Sequence, residues 1–173
     1  MANYFFTSDT HFNHSNIIKY CKRPFQTVEE MNEKLIENWN SKIKQNDIVY
    51  HLGDFNFGNL NQLEMILKRL NGRKCLIKGN HDEDSILKKV NGFYSIDIYK
   101  LVKLNLNNEK LNIIMFHYPI ARWDKQFHGA WHIFGHSHGT YDTSTLGKCH
   151  DVGVDNNNYY PISLEELKII MEK

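Results

Sequence analysis

Several short apolar segments of this chain are each followed at once by side chains that bind metal ions. The polar runs come in this order: Asp9-Thr10-His11, Gly53-Asp54, Gly79-Asn80-His81-Asp82, His117 and Gly135-His136-Ser137-His138. An apolar run of about 4–8 residues predicts a buried strand. Because ligands of open α/β sheets bind where the strands end on their carboxyl side, we expect these runs to converge on one edge of the fold.

The first half of the chain alternates predicted strands with predicted helices. Apolar residues at helical spacing predict helices over residues 27–44, where Thr27 is the expected N-cap, and over residues 60–70. Weaker helical patterns lie at residues 15–20 and 83–90. The predicted strands between the helices are residues 4–7, 48–52 and 74–78.

The second half of the chain is richer in strands. An Asn-rich turn separates residues 96–106 from residues 111–116, which predicts a hairpin. Further strands are expected at residues 131–134 and 152–154, and a terminal helix at residues 164–171. Strand–helix alternation followed by a β-rich half predicts two sheets packed face to face, with helices outside.

Composition disfavours several classes of protein. The length of 173 residues predicts one domain spanning residues 1–173, and a net charge of +1 provides no global field that attracts nucleic acid or acidic membranes. The cysteines are odd in number and widely spaced, which argues against a disulfide framework or a zinc ribbon. We expect neither a signal peptide nor a membrane helix, which needs roughly 18 apolar residues, and therefore expect a cytoplasmic protein.

The side chains in the polar runs suit hard and borderline divalent ions, which prefer carboxylate, imidazole and amide oxygen ligands. Each run alone is weak evidence, because Asp and Asn after glycine are ordinary turn residues and also cap helices. The strongest run is Gly135-His136-Ser137-His138, since side chains two residues apart point the same way from an extended segment. Together the runs predict a pair of metal ions, which cleaves phosphate esters by clamping the attacking and leaving oxygens.

The motifs resemble those of the calcineurin-like metallophosphoesterase superfamily. The family pattern is Asp-x-His, Gly-Asp, Gly-Asn-His-Asp/Glu, His and Gly-His-x-His, and every block is intact between residues 9 and 138. Residues 9–25 also resemble a group of small, single-domain bacterial and phage phosphoesterases. The resemblance implies an α/β fold, a four-layer αββα sandwich in which two facing mixed β-sheets are flanked by helices.

The resemblance also implies how the ligands divide between two divalent metal ions. The ligands implied for one ion are Asp9, His11 and His138. Those implied for the other are Asn80, His117 and His136, with Asp54 bridging the two ions. Mixed ligation of this kind suits Mn, the ion we expect, and also Fe, Ni, Co or Zn.

His81 follows the implied ligand Asn80 and is not itself implied as a ligand. In the family this histidine donates a proton to the leaving oxygen or stabilises its charge, and we expect Asp82 to orient it. The alternative is that His81 has a structural role only.

Three further residues are predicted to contact the substrate. Arg23 carries a guanidinium suited to a two-pronged grip on phosphate oxygens. His14 is expected at the mouth of the pocket, and Arg122 beside Trp123 is expected to stack on a base or a sugar. Each has a plainer alternative as a surface or packing residue. His51 lies in an apolar strand and is predicted to be a buried structural histidine.

The sequence therefore predicts a binuclear metal-dependent phosphoesterase. A hydroxide that bridges the two ions would attack the phosphorus of a small phosphomonoester, phosphodiester or nucleotide. One alternative is a non-catalytic interaction module on the same fold, which the intact ligand set and His81 argue against. Another is a nuclease, which the balanced charge and the lack of a basic stripe disfavour. The sequence leaves the substrate, the native metals and the oligomeric state open.

Overall fold

The computed structural model describes residues 2–173 and contains two mixed β-sheets. The strands in chain order are β1 (Tyr4–Thr7), β2 (Ile48–His51), β3 (Arg73–Ile77), β4 (Phe93–Asp97), β5 (Tyr99–Leu106), β6 (Glu109–Phe116), β7 (Trp131–Phe134), β8 (Cys149–Asp151) and β9 (Ile162–Ser163). The first sheet has the order β4-β3-β2-β1-β9, with β1 to β4 parallel and β9 antiparallel. The second has the order β5-β6-β7-β8, with only β5 antiparallel to its neighbour. The predicted two-sheet α/β sandwich is confirmed.

The α-helices of the described chain are α1 (Ser15–Tyr20), α2 (Val28–Lys42), α3 (Leu60–Arg69), α4 (Asp84–Leu87) and α5 (Leu164–Met171). Thr27 caps α2 as predicted, because its side chain accepts a hydrogen bond from the Glu30 amide at 3.1 Å. A reciprocal capping box between Asn59 and Gln62 starts α3. α4 is a single turn, shorter than the helix predicted at residues 83–90.

Two apolar cores explain why the strands of the first sheet are apolar on both faces. Phe5 and Phe6 are neighbours on β1 and point to opposite sides of the sheet. Phe5 packs in a core with residues of the helices, among them Met31, Trp39 and Leu63. Phe6 packs in the core between the sheets, with Leu52, Ile77, Ile113, Ile133 and, from α5, Leu167. The sandwich is therefore held by one layer of side chains on each side of the first sheet.

The outer face of the second sheet is covered differently. Ile114, Trp123 and Ala130 form a small separate core on that face. Its cover is the irregular segment of residues 118–130, in which Gln126–His128 form a single 3₁₀ turn. No α-helix of the described residues 2–173 lies in that segment, so this outer layer is thinner than the helical layer on the first sheet.

Three elements differ from the sequence prediction. Residues 96–106 are not one strand, because β4 ends at Asp97 in the first sheet and the chain turns at Ile98 into β5 of the second. The strand predicted at residues 152–154 lies earlier, at β8, and is followed by a 3₁₀ turn at Val154–Asn156. The two-residue strand β9 was not predicted. Within residues 2–173, no helix combines the length and the apolar composition that crossing a membrane requires.

Candidate functional site

The carboxyl ends of strands from both sheets meet at one edge of the sandwich. Asp9, Asp54 and Asn80 follow the parallel strands β1, β2 and β3. His117 and His136 follow β6 and β7 of the second sheet. The backbone amide of His136 donates to Asp9 Oδ2 at 2.9 Å, which joins the two sheets at this edge. The structure thus brings together the five runs that the sequence singled out.

Within this edge, six of these side chains form two groups whose potential ligand atoms lie within 4.8 Å of one another. The first group consists of Asp9, His11 and His138. The second group consists of Asp54, His117 and His136. The Asn80 side chain adjoins the second group, since its Oδ1 lies 3.0 Å from His117 Nε2.

The Asp54 carboxylate lies between the two groups. Its Oδ2 is 3.7 Å from His11 Nε2 in the first group, and its Oδ1 is 3.6 Å from His117 Nε2 in the second. The side chain is almost fully buried. A carboxylate in this position can offer one oxygen to each of two ions.

Two buried atoms of the first group lack a partner within the described residues. Asp9 Oδ1 and His11 Nε2 make no hydrogen bond and lie 4.0 Å apart. Buried polar atoms are almost always paired, because an unpaired one costs about 1–3 kcal/mol. Burial raises the pKa of Asp9 to about 8 and lowers the pKa of His11. A divalent cation between these atoms would pair both of them, so this donor set fits a metal ion.

The position of the proton on the His117 ring leaves its other nitrogen facing the centre of the site. His117 Nδ1 lies 2.6 Å from the Leu52 carbonyl oxygen, which can only accept, so Nδ1 carries the proton. His117 Nε2 is then an acceptor, and the atom it faces is the Asn80 oxygen, another acceptor. Two acceptors that face each other at 3.0 Å are reconciled by a cation. Proteins commonly fix metal-binding histidines through the second ring nitrogen in this way.

The backbone of the candidate ligands is strained. Five of them have positive φ: Asp9 (55°), His11 (50°), Asp54 (55°), His136 (66°) and His138 (48°). Such conformations cost roughly 1–3 kcal/mol each outside glycine and cluster at functional sites, although Asp and His tolerate them better than most residues. The concentration of strain at this edge is independent support for a functional site.

Glycine is required where the loops touch. A Cβ on Gly135 would collide with Ser8 Oγ and Asp9 Oδ2, and a Cβ on Gly79 would collide with Asp54 Oδ1. The glycines of the Gly-His and Gly-Asn motifs are therefore needed for close approach of neighbouring strand ends.

Aromatic side chains line the first group on its solvent side. The His14 ring stacks on Phe57 with centroids 3.8 Å apart, and its Nδ1 lies 3.2 Å from His11 Nδ1. The exposed His81 ring lies 4.7 Å from Phe57 and 6.0 Å from His11, measured between centroids. His14 and His81 thus lie beside His11, and the sequence predicts His14 at the mouth of the pocket.

Asp82 does not orient His81. Its Oδ2 accepts hydrogen bonds from the amides of Asp54 and Gly79, both at 2.8 Å, and its Oδ1 accepts one from Phe55 at 3.0 Å. The prediction for Asp82 is corrected by this geometry, because the carboxylate joins the loops after β2 and β3 and faces backbone amides. The His81 amide, for its part, donates to Asp54 Oδ1 at 3.0 Å.

The position of Arg23 also differs from its prediction. Its side chain is fully buried and donates to Asp155, to the Asp9 carbonyl at 2.7 Å and to the Thr10 carbonyl at 2.9 Å. The prediction that Arg23 grips the substrate phosphate is corrected, since its donors are already used inside the protein. Arg122 is exposed, with its guanidinium 5.5 Å from the centre of the Phe127 ring. Among the described residues it makes no hydrogen bond or ion pair to the two groups.

The sequence suggests Asp151 only as a partner of His150 and does not single out Asp155, yet both acidic residues support the Gly-His-Ser-His loop. Asp151 Oδ2 accepts hydrogen bonds from Ser137 Oγ at 3.0 Å and from the Gly139 amide at 2.8 Å. Asp155 Oδ2 accepts one from His138 Nδ1 at 2.7 Å. Asp151 is the last residue of β8 and Asp155 lies in the turn that follows, and this position at a strand end was the only available signal. The prediction for His51 is confirmed, because it is fully buried against Thr10 Oγ1 at 2.9 Å, and burial lowers its pKa to about 3.

Known proteins resemble this chain over most of its length. Residues 3–159 match the calcineurin-like phosphoesterase superfamily domain. An uncharacterized protein of Methanocaldococcus jannaschii is 35% identical over 100% of this chain and 93% of its own length. The gene 66 protein of Mycobacterium phage D29 is 25% identical over 84% of this chain and 83% of its own.

A solved structure shares the fold. A protein of unknown function from Aquifex aeolicus has a crystal structure that aligns with a TM-score of 0.74 and 30% identity, covering 98% of this chain and 100% of its own. The superfamily match covers the strand ends that carry both ligand groups. This chain belongs to the calcineurin-like phosphoesterase superfamily.

Proposed function

We propose that this protein hydrolyses a phosphate ester with the help of two divalent metal ions. The observation that carries the proposal is the Asp54 carboxylate, which faces the first ligand group with one oxygen and the second with the other. The unpaired Asp9 Oδ1 and His11 Nε2 support it, because a bound cation would give both of these buried ligand atoms a partner.

The proposed role of each residue follows from its chemistry. When bound, the ions supply Lewis-acid chemistry that polarises the phosphoryl group and makes water a nucleophile near neutral pH. Asp9, Asp54 and the imidazoles of the two groups would hold the ions. Asn80 contributes a neutral oxygen, which avoids adding negative charge beside an anionic substrate.

His81 is proposed to donate a proton to the leaving oxygen. Its ring is exposed at the mouth of the centre, while its amide is fixed to Asp54 Oδ1 at 3.0 Å. The ring can therefore reach a bound phosphoester without leaving its place beside the metal ligands. A positioned acid of this kind contributes typically about 10²–10⁴-fold to the rate.

The proposed substrate is a small phosphoester or a nucleotide, and the proposed metal is Mn²⁺. The stacked pair of His14 and Phe57 offers an aromatic surface next to the first group. On the other side, the Tyr118 ring lies 4.6 Å from the His136 ring, centroid to centroid. Aromatic surfaces on both sides of a phosphate site suit substrates with a planar group attached to the phosphate. The proposed location is the cytoplasm.

The test is a panel of phosphomonoesters and phosphodiesters with Mn²⁺, Ni²⁺, Co²⁺ and Zn²⁺, together with a count of bound metal. We expect two equivalents of metal in the wild type and hydrolysis of at least one ester. Asp54→Ala should lose both metal and activity. Asp84→Ala is the control, because Asp84 is exposed and pairs only with Lys78 at the surface.

The outcomes separate the proposal from its alternative. Two bound ions without hydrolysis of any ester would indicate a binding module. A wild-type protein that retains no divalent metal would contradict the proposal as a whole. Normal metal content in Asp54→Ala would contradict the role of Asp54 between the two groups.

A further inference from the structure

Asp155 joins parts of the metal centre that are far apart in sequence. Its Oδ2 accepts hydrogen bonds from His138 Nδ1 at 2.7 Å and from a terminal nitrogen of Arg23 at 2.8 Å. Its Oδ1 accepts from Arg23 Nε, also at 2.8 Å. The side chains of Arg23 and Asp155 are 0% and 7% exposed. They form a buried two-pronged ion pair, the strongest geometry for a guanidinium and a carboxylate.

Arg23 extends this connection to the loop that follows β1. One terminal nitrogen donates to the Asp9 carbonyl at 2.7 Å and the other to the Thr10 carbonyl at 2.9 Å. Asp9 and His11 both have positive φ, and the two carbonyl contacts hold the backbone in that conformation. The pair of Asp155 and Arg23 therefore touches the segment of Asp9 and His11 as well as the ring of His138, which together make up the first group.

The second group is outside this network. Among the described residues, neither Asp155 nor Arg23 makes a hydrogen bond or an ion pair to Asp54, Asn80, His117 or His136. The second group has its own support, since the Leu52 carbonyl accepts from His117 Nδ1. The network is thus specific to one half of the centre.

We infer that Asp155 is a positioning residue for the first group, and that it holds the proton of His138 on Nδ1 so that Nε2 is left as the ligand atom. The inference rests on the proposed two-metal function. An ionised carboxylate can only accept, so Nδ1 must donate to it. An amide at position 155 can instead donate to Nδ1, which moves the proton to Nε2, and a protonated Nε2 cannot bind an ion. Partners of this kind typically contribute about 10–100-fold to metal affinity.

The experiment measures Mn²⁺ affinity by calorimetry in two backgrounds that each retain one group. His136→Ala keeps the first group, and His11→Ala keeps the second. Adding Asp155→Asn should weaken Mn²⁺ binding about 10–100-fold in the first background. In the second background the affinity should change by no more than about twofold, because neither Asp155 nor Arg23 bonds to a residue of the second group.

A second variant keeps the test decisive if Asp155→Asn fails to fold. Asp155→Asn leaves the buried Arg23 without its counter-charge, which destabilises a protein more than removing both charges. The double variant Arg23→Gln with Asp155→Asn removes both and should show the same selective loss. Glu33→Gln is the matched control, because Glu33 holds Arg69 through two hydrogen bonds at the exposed surface. It should leave Mn²⁺ affinity unchanged in both backgrounds.

The outcomes distinguish this inference from the hydrolase proposal. Equal weakening in both backgrounds, or no weakening in either, would overturn the role of Asp155. A wild type that binds two ions and cleaves no ester would overturn the hydrolase proposal, while the affinities would still decide the role of Asp155. A wild type that binds no Mn²⁺ would overturn both.

Discussion

At the scale of single residues, Asp9 and His117 share one arrangement, in which one polar atom is held by the protein and another faces the centre. Asp9 Oδ2 accepts from the His136 amide, while Oδ1 has no partner among the described residues. His117 Nδ1 donates to Leu52, while Nε2 faces Asn80. This arrangement fixes both side chains without an ion, so the proposed metal binding would require little reorganisation of them.

The first prediction concerns His81. If His81 is the proposed acid, His81→Ala should keep both metal ions and lose about 10²–10⁴-fold in kcat, because the variant has no group to protonate the leaving oxygen. The loss should be larger for alkyl than for aryl phosphates, since a good leaving group needs no proton. Steady-state kinetics on both classes, with His128→Ala as an exposed control, measures this. Equal losses on the two classes would leave His81 a role in charge stabilisation only.

At the scale of secondary-structure elements, the site depends on how closely the strand ends approach. The loop after β7 meets the loop after β1 at Gly135, where there is no room for a side chain. The loops after β2 and β3 are joined by the Asp82 carboxylate through the Asp54, Phe55 and Gly79 amides. The two sheets must therefore be packed against each other before the side chains of each ligand group come together.

The second prediction tests this docking at Gly135. Gly135→Ala should reduce metal content and thermal stability together, because its Cβ would push Ser8 and Asp9 away from β7. Gly129→Ala is the control, since nothing lies within 4 Å of its Cβ. Its positive φ should cost only about 1 kcal/mol, the strain of a left-handed conformation. Full metal occupancy in Gly135→Ala would show that the strand ends can move apart without losing the site.

The third prediction concerns the end of α3. Lys74 Nζ donates to the carbonyls of Leu67 and Leu70 at 3.1 and 2.8 Å, which pairs backbone groups that a helix end leaves free. Lys74→Met keeps most of the apolar stem and should cost about 1–3 kcal/mol, because two carbonyls lose their donor. Urea denaturation measures the loss. Lys34→Met, which removes the surface pair with Glu37, should change stability much less than Lys74→Met, because solvent screens an exposed ion pair.

At the scale of the whole molecule, one part of the sandwich provides stability and another part carries the candidate site. The cores on either side of the first sheet hold the fold, while the shared edge concentrates strained backbone and unpaired polar atoms. The strain and the unpaired atoms at this edge should destabilise the metal-free protein, and bound ions should remove part of that cost. Bound metal should therefore raise the melting temperature.

The fourth prediction is the acid sensitivity of the metal-free protein. His132 is fully buried, and burial lowers its pKa from 6.5 to about 4. Above pH 6.5 the side chain is neutral in both the folded and the unfolded state. Between pH 6.5 and 4 only the unfolded state takes up the proton, so this residue lowers the free energy of unfolding as pH falls.

The magnitude follows from the shift. His132 should account for a loss of about 3 kcal/mol over that range, at about 1.4 kcal/mol per pH unit. His132→Gln does not titrate, so its stability deficit relative to wild type should shrink by about 2 kcal/mol between pH 8 and pH 5. Urea denaturation in EDTA at both pH values gives the difference. A deficit that does not change with pH would mean that folding leaves the pKa of His132 unshifted.

The site was predictable from the sequence to the extent that its chemistry resides in residue types. The ligand-type residues follow apolar strands, and strand polarity alone brings Asp9, Asp54 and Asn80 to one edge. Thr27 and Asn59 likewise begin α2 and α3 through hydrogen bonds that span only three residues. In each case the interacting groups are close along the chain or belong to one repeating pattern.

Only the tertiary structure decided which partners these residues take. Arg23 and Asp155 are 132 positions apart, and nothing local to either indicates that they form one pair. Asp82 is adjacent to His81 in sequence, yet its carboxylate turns to backbone amides of two loops. The corner at Ile98 is not marked in the sequence either, because both flanking strands mix apolar and polar residues and no Gly or Pro stands at the change of sheet. Side-chain partners are set by proximity in space, whereas the sequence by itself determined most of the strands, the cap of α2 and the ligand chemistry through local pattern.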